Sequence, residues 1–196
     1  MHSSDRDAIE ADFTALHSVV SRILGHSFDT LTTPDRLTYL QRLEQDTRRL
    51  QAPRHVLINQ LAEQAGRDEL GARLPNALAD RLHITPGEAA RRVAEAADLG
   101  PRRALTGEPL PPLLTGTAGA QLAGKIGAGH VRVIRRFLRQ LPNSVDVGTR
   151  EKVEEHLAEL ATEHRPDDLA KLAERLSAYI NPDGTTPTRT APVAAA

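Results

Sequence analysis

The sequence predicts an all-α fold, an irregular bundle of about eight helices followed by a disordered C-terminal tail. Three observations carry that reading. Aromatic residues make up only 3% of the chain (Phe13, Phe28, Phe137, Tyr39 and Tyr179, with no Trp), so the apolar content is mostly Leu, Ala, Val and Ile. Leu and Ala are strong helix formers, and β-branched runs are missing. Apolar residues also recur at spacings of three and four, and helix start and stop signals punctuate them.

The elements follow in order. From Asp5 to Leu24, the apolar positions Ile9, Phe13, Leu16, Val19, Val20 and Ile23 mark one helix face. Thr33-Pro34 reads as an N-cap followed by proline in the first turn, opening a helix that runs through Leu37, Leu40, Leu43, Thr47 and Leu50. Pro53 either kinks it or begins the next segment, whose apolar positions are Val56, Leu57, Leu61 and Ala65, with Gly66 as a stop. Asn76 to Val93 reads as short helix, tight turn and second helix, with Thr85-Pro86-Gly87-Glu88 as a capping box and Gly100-Pro101 as the end. The pattern places Ala89, Ala90, Val93, Ala96 and Ala97 inward, and Glu88, Arg91, Arg92 and Glu95 outward. After a Pro-rich linker at 107–112 come Leu113–Lys125, a helix from His130 to Leu141, and the pair Val147–His164 and Pro166–Ile180. Gly127-Ala128-Gly129 reads as the start of the His130 helix rather than a nucleotide cradle. Residues 78–88 and 122–130 echo one another, either as a duplicated unit or as two generic helix junctions. The expected organisation is one helical domain over 1–184, with a sub-boundary admitted at 107–112, and a disordered tail over 185–196.

Composition excludes several classes. The chain has no Cys, which removes disulfides, thiolate metal sites and cysteine nucleophiles together. No stretch approaches the ~20 apolar residues of a membrane span, and the polar start Met1–Asp7 is no signal peptide, so a cytoplasmic protein is expected. Net charge is −1, yet residues 111–145 carry five basic and no acidic side chains. His156, Glu159, Glu163 and His164 share a helix region, but they read better as a solvated face than as a metal site. No phosphate loop or nucleophile arrangement is present, so no catalytic residue, no metal site and no cofactor is assigned.

The candidate site is nucleic-acid-binding. At ~100° per residue, Arg132, Arg135, Arg136 and Arg139 fall on one stripe of their helix, opposite Val131, Val133, Ile134, Phe137, Leu138 and Leu141. All four arginines are expected exposed, and guanidinium groups in such a row suit phosphate oxygens. The competing arrangement pairs them with the acidic helix Glu151–Glu163. Arg91 and Arg92 form a secondary candidate on the second helix of the 77–98 unit, although Glu88–Arg92 and Arg91–Glu95 can satisfy one another at i,i+4.

The order of motifs carries a resemblance. Leu78–Val93 (Leu-Ala-x-x-Leu-x-Ile-Thr-Pro-x-Glu-Ala-x-x-Arg-Val), Leu99–Arg102 (Leu-Gly-Pro-Arg), Gly124–Ile134 (Gly-x-Ile-x-x-x-His-Val-x-Val-Ile) and Asn181–Gly184 (Asn-Pro-Asp-Gly) follow one another. Together they resemble the actinobacterial domain of unknown function 222, the domain of the 13E12 repeat proteins. The resemblance implies a helical domain often fused to a C-terminal HNH-type nuclease module. That module has no counterpart in the present sequence, and Asn181 stands where the family usually has Asp. The expected function is therefore a DNA-associated, non-catalytic helical module with duplex DNA as partner. The alternative is a protein-interaction or oligomerisation scaffold, a homo-oligomer or a partner-binding protein, without nucleic-acid contact.

Overall fold

A computed structural model describes residues 2–180, apart from the side chains of residues 2–4 and 67; the expected tail at 185–196 lies outside the described residues. The expected all-α architecture is what the chain forms. Ten helical elements occur among the described residues: α1 (His2–Leu24), α2 (Thr33–Arg49), α3 (Gln51–Gln64), the single turn α4 (Arg67–Leu70), α5 (Leu74–Leu82), α6 (Pro86–Leu99), α7 (Thr115–Leu122), α8 (Ala128–Gln140), α9 (Val147–Glu163) and α10 (Pro166–Ile180). The expected Pro-rich linker is partly a two-residue antiparallel hairpin, β1 (Arg102–Arg103) against β2 (Pro109–Leu110). It pairs because Gly107 takes φ +87°, which turns the chain back on itself. No helix among the described residues is long and apolar enough to cross a membrane.

The chain forms two compact units that divide between Arg42 and Leu43. In the first unit, Thr32 rather than Thr33 caps α2. Its hydroxyl donates to the Asp35 carboxylate (2.6 Å) and accepts from the Asp35 amide (3.3 Å). The Asp35 carboxyl is accordingly held below its ordinary value, chiefly by Thr32. Arg36 donates to the carbonyls of Phe28 and Asp29 and so fixes the connection from α1.

In the second unit Pro53 sits in the first turn of α3, where its missing amide hydrogen costs no helical bond. Two apolar clusters form. Ile58, Leu78, Ala79, Ala89 and Ala96 join α3, α5 and α6. Leu99, Ile126, Val131, Ile134, Phe137, Leu141, Leu157, Ala161, Leu169 and Ala173 join the end of α6 to α8, α9 and α10. On α6 the inward set is narrower than the sequence implies: Ala89 and Ala96 are buried, but Ala90 and Ala97 are exposed. The stripe is narrow because the flanking positions 88, 91, 92 and 95 are turned partly inward, towards one another and towards α3.

The helix α7 packs on α9 and α3. The residue before it, Leu114, offers no side-chain cap. Glu154 of α9, itself buried, supplies one instead, accepting from the amides of Gly116 (3.1 Å) and Thr117 (2.6 Å) and from the Thr117 hydroxyl. A carboxylate among orphan amides at a helix N-terminus is favourable in both hydrogen bonding and dipole terms. Gly124 ends the following turn at φ +74°, with Gln45 packed directly against it.

Candidate functional site

Helix α8 positions the basic stripe. Its apolar side is placed as expected, with Val131, Ile134, Phe137 and Leu141 buried and Val133 and Leu138 half-buried. Arg132, Arg136 and Arg139 are exposed. Arg135 is the exception, because it is only 6% exposed. Its Nε donates to the Asp98 carboxylate at 2.6 Å, and its Nη1 lies 3.5 Å from the Glu95 carboxylate. The expectation of four exposed arginines is therefore corrected to three. The physical reason is that α6 lies over one edge of the stripe, and a guanidinium can be buried there only with a carboxylate partner. Nor is the acidic helix α9 the partner: among the described residues none of its glutamates pairs with an α8 arginine, and Glu154 caps α7.

Arg91 and Arg92 stand in a second network. Arg91 pairs with Glu88 (2.6 Å) and with Glu95 (2.5 Å), and Arg92 pairs with Glu88 (2.8 Å), all within α6. The i,i+4 pairs expected from the sequence both form. The capping box forms only by half: the Thr85 hydroxyl accepts from the Glu88 amide at 3.2 Å, while the Glu88 carboxylate turns to the arginines instead of back to Thr85. Those hydrogen bonds, from Arg91 first and Arg92 second, hold the Glu88 carboxyl down at about 2, and raise Arg91 above its ordinary value.

A depressed carboxyl stabilises the fold above its unfolded value near 4.5 and loses that contribution as pH falls towards about 2. Thermal melts between pH ~5 and ~2 are thus expected to fall less steeply for Glu88→Gln than for the parent chain. Equal slopes would show that the α6 network does not couple to folding.

The α6 network opens on a cleft of about 260 Å³, lined by Glu44, Thr47, Arg48, Gln51, Arg54, His55, Ile58, Glu88, Arg91, Arg92, Glu95, Gln121, Gly127 and Ala128. Sequence reasoning missed this place, since its residues come from α2, α3, α6, α7 and the start of α8. His55, a polar residue buried to 4% exposure between α3 and α7, bonds through Nε2 to Gln121 Oε1 at 3.0 Å. Burial pushes its pKa down, which keeps the ring neutral. The one available signal was His55 standing on the inner side of α3, three residues before Ile58.

His156, Glu159, Glu163 and His164 are all exposed, and no group of three or more potential metal ligands gathers among the described residues. The His164 carbonyl instead meets His130 Nε2 at 2.9 Å.

A different surface is exposed on α1. Every side chain described from Asp5 to Thr30 is exposed, including Ile9 (58%) and Phe13 (56%). Five of these apolar residues, Ile9, Phe13, Leu16, Val20 and Ile23, alternate at spacings of four and three. That spacing is the seam of a coiled coil.

The chain is 58% identical over 181 residues to an uncharacterized protein of Mycobacterium tuberculosis (strain CDC 1551 / Oshkosh), covering 92% of this chain and 43% of that protein. It is 56% identical over 184 residues to one of Mycobacterium bovis (strain ATCC BAA-935 / AF2122/97), covering 94% and 40%. It thus spans about two fifths of the length of these relatives. No solved structure matches it. The family model described as Domain of unknown function (DUF222) matches residues 37–194, from within α2 to beyond α10, and the chain belongs to that family.

Proposed function

We propose that the chain is a helical association module that pairs with a second copy of itself through α1. The observation that carries this is the heptad seam Ile9, Phe13, Leu16, Val20 and Ile23 on a 23-residue helix, left 39–58% exposed. Most helix stability in proteins comes from packing an amphipathic face, and about half of this face's apolar surface is left uncovered.

Charge selects the occupant. The first part of α1 carries Asp5, Asp7, Glu10 and Asp12 against Arg6, whereas Phe13–Leu24 carries Arg22 and His17 and no acid. A two-fold axis that runs two α1 helices antiparallel sets each acidic half against a basic half, and a parallel pair would stack acid on acid.

The area is sufficient. Ten large apolar side chains of the first unit (Ile9, Phe13, Leu16, Val19, Val20, Ile23, Phe28, Leu37, Tyr39 and Leu40) stand 39–63% exposed. Burying such a side chain fully removes roughly 60–120 Å², so ten at half exposure offer about 300–600 Å² per copy. With an apolar share of about 60%, two copies would bury about 1,000–2,000 Å², the size of a stable interface.

Light scattering over a range of concentrations tests the reading. A mass that rises to two copies is expected; a one-copy mass at every concentration overturns it and leaves α1 to a different partner.

A second reading, DNA contact, keeps one specific support: Arg132, Arg136 and Arg139 are exposed and have no carboxylate partner among the described residues. Three phosphate contacts correspond to a log–log salt slope of about −2.7 on duplex DNA, and Arg136→Ala is expected to flatten it by about one unit. A duplex titration at ~50 mM salt that shows no binding removes this reading.

A further inference from the structure

We propose that the cleft between α3, α6 and the start of α8 binds a phosphate-type oxyanion, held by the α8 N-terminus together with Arg48 and Arg54. Three independent features converge there. The first is the helix end. Among the described residues no acceptor reaches the amides of Ala128, Gly129 and His130, the first three of α8, and Gly127 and Ala128 line the cleft. Unsatisfied amides with a helix dipole behind them favour negative charge. Arg48 lies against the same point: a Cβ placed on Gly127 would sit 3.2 Å from its Nε.

The second feature is a guanidinium outside the ion pairs. Glu44, Glu88 and Glu95 are each engaged by Arg48, Arg91, Arg92 or Arg135. Arg54 has no carboxylate partner and donates only to Gln51 Oε1 at 2.8 Å. It is half-buried, and burial first, then neighbouring Arg92, push its pKa below the ordinary value against a smaller opposing pull from Glu88. An anion beside it removes both penalties.

The third feature is His55. Its Nδ1 is a buried side-chain atom without any hydrogen-bond partner. With Nε2–H donating to Gln121, Nδ1 carries a free lone pair. An orphaned acceptor in a cleft lined by Arg48, Arg54, Arg91 and Arg92 against Glu44, Glu88 and Glu95, with Arg54 left outside the ion pairs, calls for a ligand that is anionic and still bears a proton. Hydrogen phosphate and phosphomonoesters in their monoanionic form meet both conditions; sulfate and chloride carry no proton at neutral pH.

Calorimetry of the full chain at pH ~6.5 with inorganic phosphate, sulfate and chloride at equal ionic strength tests this. Phosphate is expected to bind with Kd below ~1 mM, and sulfate at least ~10-fold more weakly. Arg54→Gln is expected to weaken phosphate binding ~10-fold or more while the far-UV spectrum and melting midpoint in chloride stay those of the parent. Gly127→Ala, which presses a methyl group onto Arg48, serves as a second variant with the same expected loss. No phosphate binding by the parent chain, equal response to chloride, or unchanged phosphate binding in both variants overturns the proposal.

The source of the group is separated by competition. A short oligonucleotide with a 5′-phosphate that displaces inorganic phosphate, while its 5′-hydroxyl twin does not, assigns the site to a nucleic-acid end. Failure of both to compete, with inorganic phosphate still bound, assigns it to a small phosphorylated molecule.

Discussion

A chain carrying Phe13→Asp and Leu16→Asp is expected to scatter light as a single copy at concentrations where the parent reaches two. In a symmetric pair each substitution acts twice. Each of the four side chains has only about half its surface left to bury, so removing them from the seam forfeits roughly 0.7–1.5 kcal/mol each, or about 3–6 kcal/mol in all. That raises the dissociation constant by at least about 10². Both residues are more than a third exposed in one chain, 56% and 39%, so neither substitution opens a buried core. The far-UV helix signal should fall as well, because α1 loses the packing that supports it. A two-copy mass retained by the double variant would remove α1 from the interface.

The second large effect belongs to Arg135. Arg135→Ala leaves the carboxylates of Asp98 and Glu95 without their partner from α8, and Glu95 is only 12% exposed. Breaking one partner out of a buried pair costs about 3–5 kcal/mol, a large share of a small domain's total. Arg136→Ala, one residue along on the exposed face, is expected to change stability by only about ±0.5 kcal/mol. Urea denaturation of the two variants side by side measures the contrast. Equal midpoints would mean that the Arg135–Asp98 pair does not hold in solution.

These two residues also show how far the sequence could be read. Position on a helical wheel separates Ile134, Phe137 and Leu141 from the arginines correctly, because those residues obey the period of α8 itself. The wheel cannot tell Arg135 from Arg136, since what differs is whether another helix covers that edge. The partner Asp98 stands 37 residues earlier, at the end of α6. On α6 the local i,i+4 pairs were legible for the same reason that the α8 period was. The redirection of Glu88 away from Thr85 was not, because two arginines outbid one backbone amide. Arg48, Arg54 and His55 belong to different periods on α2 and α3, and nothing in the chain order brings them to Gly127. The exposure of α1 was equally invisible: its pattern is that of any amphipathic helix, and nothing in that pattern tells that the seam stays 39–58% exposed.

The carboxylate of Glu154 at the start of α7 also sets a schedule. α7 has eight residues, too few to persist alone in water. The group that completes its first turn arrives 37 residues later in the chain. During synthesis at about 5–20 residues per second, that is an interval of about 2–7 s in which residues 115–122 have left the ribosome without their cap. The N-terminal helices have their local signals during that interval, whereas α7 must wait for α9.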